Sequence, residues 1–268
     1  NFRCGPDSFL SHYVREEMRG KPYLQLEVDE HSADAGMITR CEAFLDSLKG
    51  ETKAELPDKE FAPVSVFRAS PSKGRTLYFP YMCDSAYVMA AASRACGIEA
   101  DVLPMQDDVD MEWGRKYTSS RECFPMICTT GSFLKKLHEP GVDPAKVSFF
   151  MPAHGGPCRF GQYNKFQRII MENLGFKDVE IISPTNKNSY ADFSRGQGVK
   201  FRLIAWHGLV GAEFLGKMRQ ERKPYEAVPG QTEETYQRYL DKLVQSIETG
   251  AKDTLNVLKE AAQAFQKL

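Results

Sequence analysis

The chain has 268 residues, 42% hydrophobic and 26% charged, a composition suited to a globular protein that buries one large core or two medium ones. Its 35 basic and 36 acidic side chains leave a net charge of −1, so no global field favours nucleic acid or an anionic membrane as a partner. No apolar run reaches bilayer-spanning length and no secretory signal is visible, so a cytoplasmic location is expected.

The opening Asn1-Phe2-Arg3-Cys4 runs straight into a helical pattern, which points to a fragment of a longer polypeptide. Over residues 6–19, Phe9, Leu10, Tyr13, Val14 and Met18 form a helical stripe. Residues 22–28 alternate like a strand, and 38–48 read as a helix ending near Gly50. Residues 51–75 are charged, broken by Pro57, Pro63, Pro71 and Gly74, and read as a linker. Strands are then expected at 76–82, 99–105, 146–151, 179–184 and 201–206. Helices are expected at 84–96, from Pro125 through Leu137, at 162–174 and onward from 206 to about Arg219. One or two amphipathic helices fill 232–266.

This alternation predicts an α/β fold of Rossmann-like lobes with mainly parallel sheets and C-terminal covering helices. Residues 1–50 would be the end of a first lobe, 51–75 the linker, 76–230 a second lobe and 231–268 the covering segment. Those covering helices could also serve as a subunit interface.

The chain has seven cysteines, without C-x-x-C pairs or a zinc-ribbon spacing. A disulfide framework is not expected without a secretory signal. Cys41 and Cys96 fall within predicted helices and read as small buried hydrophobes. Cys4, Cys123 and Cys158 share another setting, each within two residues of a proline and at or near a helix start. Proline favours the first helical turn, and the positive helix end favours a thiolate, the form that binds metal. Helix starts of α/β units lie at the carboxyl edge of the sheet, where sites assemble, so these thiols could converge. Any one of them alone reads as an ordinary turn cysteine. Cys83 and Cys128 stay ambiguous.

Three thiolates can hold an iron–sulfur cluster and leave one iron open. Zinc ranks second, with His154 as a fourth ligand. A Cys158 nucleophile activated by His154 ranks third, because it needs only one cysteine.

Four segments carry a family resemblance: FRCGPDSF (2–9), LEVDEHSADAGMITRCEAFLDSL (26–48), GRKYTSSRECFP (114–125) and FFMPAHGGPCRFGQYN (149–164). In order and over residues 1 to roughly 240, they resemble the dehydratase-like, cysteine-rich region of fused CoA-substrate-specific enzyme activases. Those proteins are related to 2-hydroxyacyl-CoA dehydratases and benzoyl-CoA reductase-like enzymes. The resemblance implies an oxygen-sensitive [4Fe–4S]-type cluster, or a double-cubane variant, easily lost in air. It would sit between Rossmann-like lobes and receive electrons from an ATP-driven activase, in the same longer chain or a separate subunit. Cys4, Cys123 and Cys158 would be the ligands. No segment here resembles the activase's glycine-rich ATP-binding motifs.

The function then expected is an iron–sulfur redox component acting on a small molecule or acyl-CoA. If catalytic, it is a reductase or dehydratase component; a homo-oligomer is compatible with it. The alternative is a non-catalytic ligand- or partner-binding module with zinc or no metal. Arg159 is a candidate to donate charge-assisted hydrogen bonds to cluster sulfurs or a bound anion. Residues 29–36, with His31, read as a solvated loop whose Asp34 and Gly36 set a turn. Arg40 and Glu42 are expected to make local ion pairs, with Arg40 also a candidate anion contact. Trp206-His207-Gly208 reads as the end of a strand with a packed Trp and a satisfied His.

Overall fold

The computed structural model describes residues 14, 18, 21–26, 33–49, 68–118, 122–154, 158–185, 190–194 and 196–268. A helix, α1 (Asp34–Lys49), precedes β1 (Thr76–Phe79), α2 (Ser85–Ala95), β2 (Ala100–Val102), α3 (Asp108–Tyr117) and α4 (Phe124–Leu137). Then follow β3 (Val147–Phe150), α5 (Tyr163–Asn173), β4 (Glu180–Ile182), α6 (Gly198–Arg222), α7 (Gln231–Glu248) and α8 (Thr254–Gln266).

The four strands form one parallel sheet in the order β2-β1-β3-β4, with Leu77 opposite Ala100, Tyr78 opposite Phe149 and Phe149 opposite Ile181. The chain winds outward from β1 to β2, then crosses back to lay β3 on the other side of β1. This is a Rossmann-like α/β arrangement whose switch point lies between β1 and β3, where ligand crevices form at the strands' carboxyl ends. Arg68 adds a single parallel bridge to Ile182 beyond the β4 edge.

Successive strand residues point to opposite faces, and the core divides accordingly. Leu77, Phe79, Phe150 and Ile182 pack under α2, α6, α7 and α8. Val147, Phe149 and Ile181 face α4 and α5. Both faces are covered, so β3 is buried at every residue and its sequence shows no alternation. The alanines of α2 keep its surface low against α6, where Gly208 lies so close to Val88 that an added Cβ would be 2.9 Å from that side chain. Among the described residues, no helix is long and apolar enough to cross a membrane.

Several expectations change. Residues 201–206 are helical, inside α6, because Phe201, Ile204, Ala205, Gly208 and Ala212 are buried at helical intervals. Residues 21–26 are irregular, and 27–28 lie outside the described residues. Helix α3 was not anticipated. It starts on a capping box in which Asp107 accepts from the Asp110 amide at 3.1 Å and Asp110 accepts from the Asp107 amide at 2.9 Å. Asp34 and Gly36 belong to the first turn of α1 rather than to a loop. Cys41 lies on that helix but is only half-buried, since α1 has no buried residue. Most of the expected helix over 6–19, His31, and residues 51–67 of the linker lie outside the described residues.

Candidate functional site

The chain leaving β3 stays extended at the sheet's carboxyl edge. The Met151 amide donates to the Ile182 carbonyl at 2.9 Å, and the Ala153 amide donates to that of Pro184 at 3.1 Å. Cys158 then enters a 3-10 turn, Arg159–Gln162, that runs directly into α5. The helix expected over 162–174 is present as α5, and the 3-10 turn joins it to Cys158. Gly161 makes this turn possible: a Cβ there would sit 2.3 Å from the His154 carbonyl oxygen. That close approach presses the turn against the strand exit. Gly155, Gly156 and Pro157, expected to shape the site, lie outside the described residues.

Cys123 is the extended N-cap of α4, with Pro125 in the first helical turn. Its thiol hydrogen-bonds with the hydroxyl of Tyr163, the first residue of α5. Burial pushes ionisation of that phenol far above its ordinary range, and the bond to Cys123 raises it further. Cys123 thus meets the first residue of α5, and Cys158 and Arg159 lie in the turn that leads into that helix. Arg159 is 2% exposed, Cys123 is half-buried and Cys158 is exposed. A buried guanidinium next in sequence to an exposed thiol, with a half-buried thiol bonded to the first residue of α5, suits an anionic or sulfur-rich group.

The third expected thiol, Cys4, lies outside the described residues. Among those described, no three His, Cys, Asp or Glu side chains are gathered to hold a metal ion. The His154 ring lies against Phe160, 5.9 Å between centroids. Cys83 is exposed just past β1. Cys96 and Cys128 are sheltered, and burial pushes both thiols up. The expected role of Trp206 is corrected. It stands 66% exposed in the middle of α6, whereas the His207 Nδ1 is satisfied by the Leu203 carbonyl at 2.7 Å.

A second cluster at this edge escaped the sequence reading. Tyr81 donates to Asp84 Oδ1 at 2.7 Å and Tyr236 to Oδ2 at 2.6 Å, with the Arg219 guanidinium 4.2 Å above the Tyr236 ring. Burial, then Asp84, pushes the Tyr81 phenol up to about 12. These contacts tie the α6–α7 layer to the end of β1. The aromatic pair was invisible beforehand because Tyr236 lies 152 positions from Asp84.

An open cavity of about 580 Å³ lies at the opposite, amino edge of the sheet, lined by Arg68, Arg75, Arg168, Lys177 and Glu180 among others. Its arginines are committed. Arg68 and Arg75 stand 3.4 and 3.5 Å from Glu180 Oε1, and Arg168 donates to the Val179 carbonyl at 2.7 Å. Glu180 and the arginines around it act as a structural strut, and the cysteine-bearing edge is taken as the candidate site. No family model, curated protein or solved structure matches the chain.

Proposed function

We propose that the chain is the iron–sulfur redox component of a system driven by an ATP-dependent activase, with Cys123 and Cys158 as cluster ligands and Cys4 as the third. The observation that carries this reading is the bond of Cys123 to Tyr163 at the start of α5, the helix whose preceding turn bears Cys158 and the buried Arg159. Cys123 and Cys158, together with Cys4, would supply the three thiolates of a [4Fe–4S]-type cluster with one iron open, and the cluster would supply low-potential electron transfer. Arg159 would hold negative charge near the sulfurs through charge-assisted hydrogen bonds. Tyr163, kept protonated by burial, offers a hydroxyl to the sulfur of Cys123. The 3-10 turn braced by Gly161 sets where Cys158 stands.

Protein prepared without oxygen should contain iron and sulfide and show broad visible absorption that bleaches on reduction. Cys123→Ser and Cys158→Ser should lose both with little change in fold, while Cys41→Ser should retain them. Stoichiometric zinc without iron or sulfide in anaerobic protein would overturn the reading in favour of a binding module.

A further inference from the structure

Helix α6 carries apolar side chains on both of its faces. Phe201, Ile204, Ala205, Ala212, Leu215 and Met218 are buried in the core shared with α2, α7 and α8. On the outer face Val199, Leu203, Trp206, Val210 and Phe214 are 42% to 66% exposed. Their steps of four, three, four and four positions draw one stripe along the helix, about 24 Å long at ~1.5 Å per residue. Single exposed apolar residues are ordinary, but a contiguous stripe of large ones marks an interaction surface.

We propose that this stripe is an isologous interface on which the α6 helices of two copies of the chain pack antiparallel. The stripe is symmetric about the point between Trp206 and His207. Val199 and Phe214 are equidistant from it, as are Leu203 and Val210. A two-fold axis through that point layers Val199 on Phe214 of the other copy and Leu203 on Val210 of the other copy, with the two Trp206 rings meeting at the centre. A two-fold interface demands such self-complementarity, and the spacing of this stripe meets it.

The charges agree. Across an antiparallel helix pair, like edges face each other. Glu213 and Arg202 lie on the same edge of α6, so the two-fold sets Glu213 of each copy beside Arg202 of the other. Such rim pairs contribute little affinity but fix register and partner choice. A single helix pair is a small interface, so association in the micromolar range is expected.

Sedimentation velocity of the full chain from about 1 to 200 µM, near the affinity scale of such contacts, should show a reversible monomer–dimer equilibrium. Leu203→Glu, at a position 59% exposed and so compatible with folding, should weaken dimerisation at least ~10-fold. Circular dichroism checks that the fold is kept. Glu213→Arg and Arg202→Glu should each weaken the dimer, and combining them should restore it. A chain monomeric across this range overturns the proposal, and shielding of Trp206 from acrylamide in that monomer would assign the stripe to another segment of the same chain. A dimer indifferent to both Leu203→Glu and Val210→Glu also overturns it. A double charge reversal no stronger than either single one refutes the antiparallel register.

Discussion

Removing the Glu180 carboxylate should loosen the amino edge of the sheet. The side chain is 12% exposed and stands among five donors. It accepts from the Ser72 amide at 3.0 Å, the Ser72 hydroxyl at 2.6 Å and the Ser148 hydroxyl at 3.1 Å, with Arg68 and Arg75 3.4 and 3.5 Å away. These contacts join the starts of β1, β3 and β4. Glu180→Ala leaves the fully buried Ser148 hydroxyl without this acceptor and two guanidiniums without their counter-charge. Losing one partner of a largely buried charged network costs ~3–5 kcal/mol. The edge retains some water, so about 3 kcal/mol is expected, or ~6–12 °C in Tm for a folded unit of this size.

Burial alone would raise the Glu180 carboxyl, but the hydrogen bonds from Ser72 and the charge of Arg75 outweigh it and hold the group below its ordinary 4.5. A depressed folded-state value means the stabilisation is present above the unfolded value and is lost as pH falls through the folded one. Glu180→Gln should therefore be less stable than the parent at pH 7, with the gap closing in acid. Urea unfolding followed by circular dichroism at several pH values measures both effects. A Glu180→Ala chain within ~0.5 kcal/mol of the parent would refute the strut, since that is the range of an ordinary surface substitution. So would a Glu180→Gln gap that persists unchanged in acid.

Gly131→Ala should part α3 from α4, because an added Cβ would lie 1.8 Å from the Asp110 carbonyl oxygen; a loss of about 3 kcal/mol in urea unfolding is expected, and wild-type stability would contradict the packing. Alkylation followed by peptide mass spectrometry should label the exposed Cys83 and Cys158 well before Cys96 and Cys128, whose thiols burial pushes up. Early labelling of Cys96 would contradict its place in the core. Tyr163→Phe removes the hydroxyl bonded to Cys123 and should cost about 1 kcal/mol while speeding alkylation of that thiol; an unchanged rate would deny the contact.

Much of the fold follows from local order in the sequence. Apolar runs ending in proline or glycine mark β1, β3 and β4, and the alanine-rich stretch closed by Gly97 marks α2, because period and punctuation are properties of neighbouring residues. The N-terminal settings of Cys123 and Cys158 were legible for the same reason. Helix α3 was missed although Asp107 and Asp110 form a cap readable at three-residue spacing. Residues 201–206 misled because α6 is apolar on its covered and uncovered faces alike, and a short apolar run has no period that separates strand from helix. Only the tertiary structure decided the strand order, the meeting of Cys123 with Tyr163, the hold of Asp84 on Tyr236 and the five donors around Glu180. Each joins residues distant in sequence, and such contacts depend on how whole elements cross and pack, which no local pattern encodes.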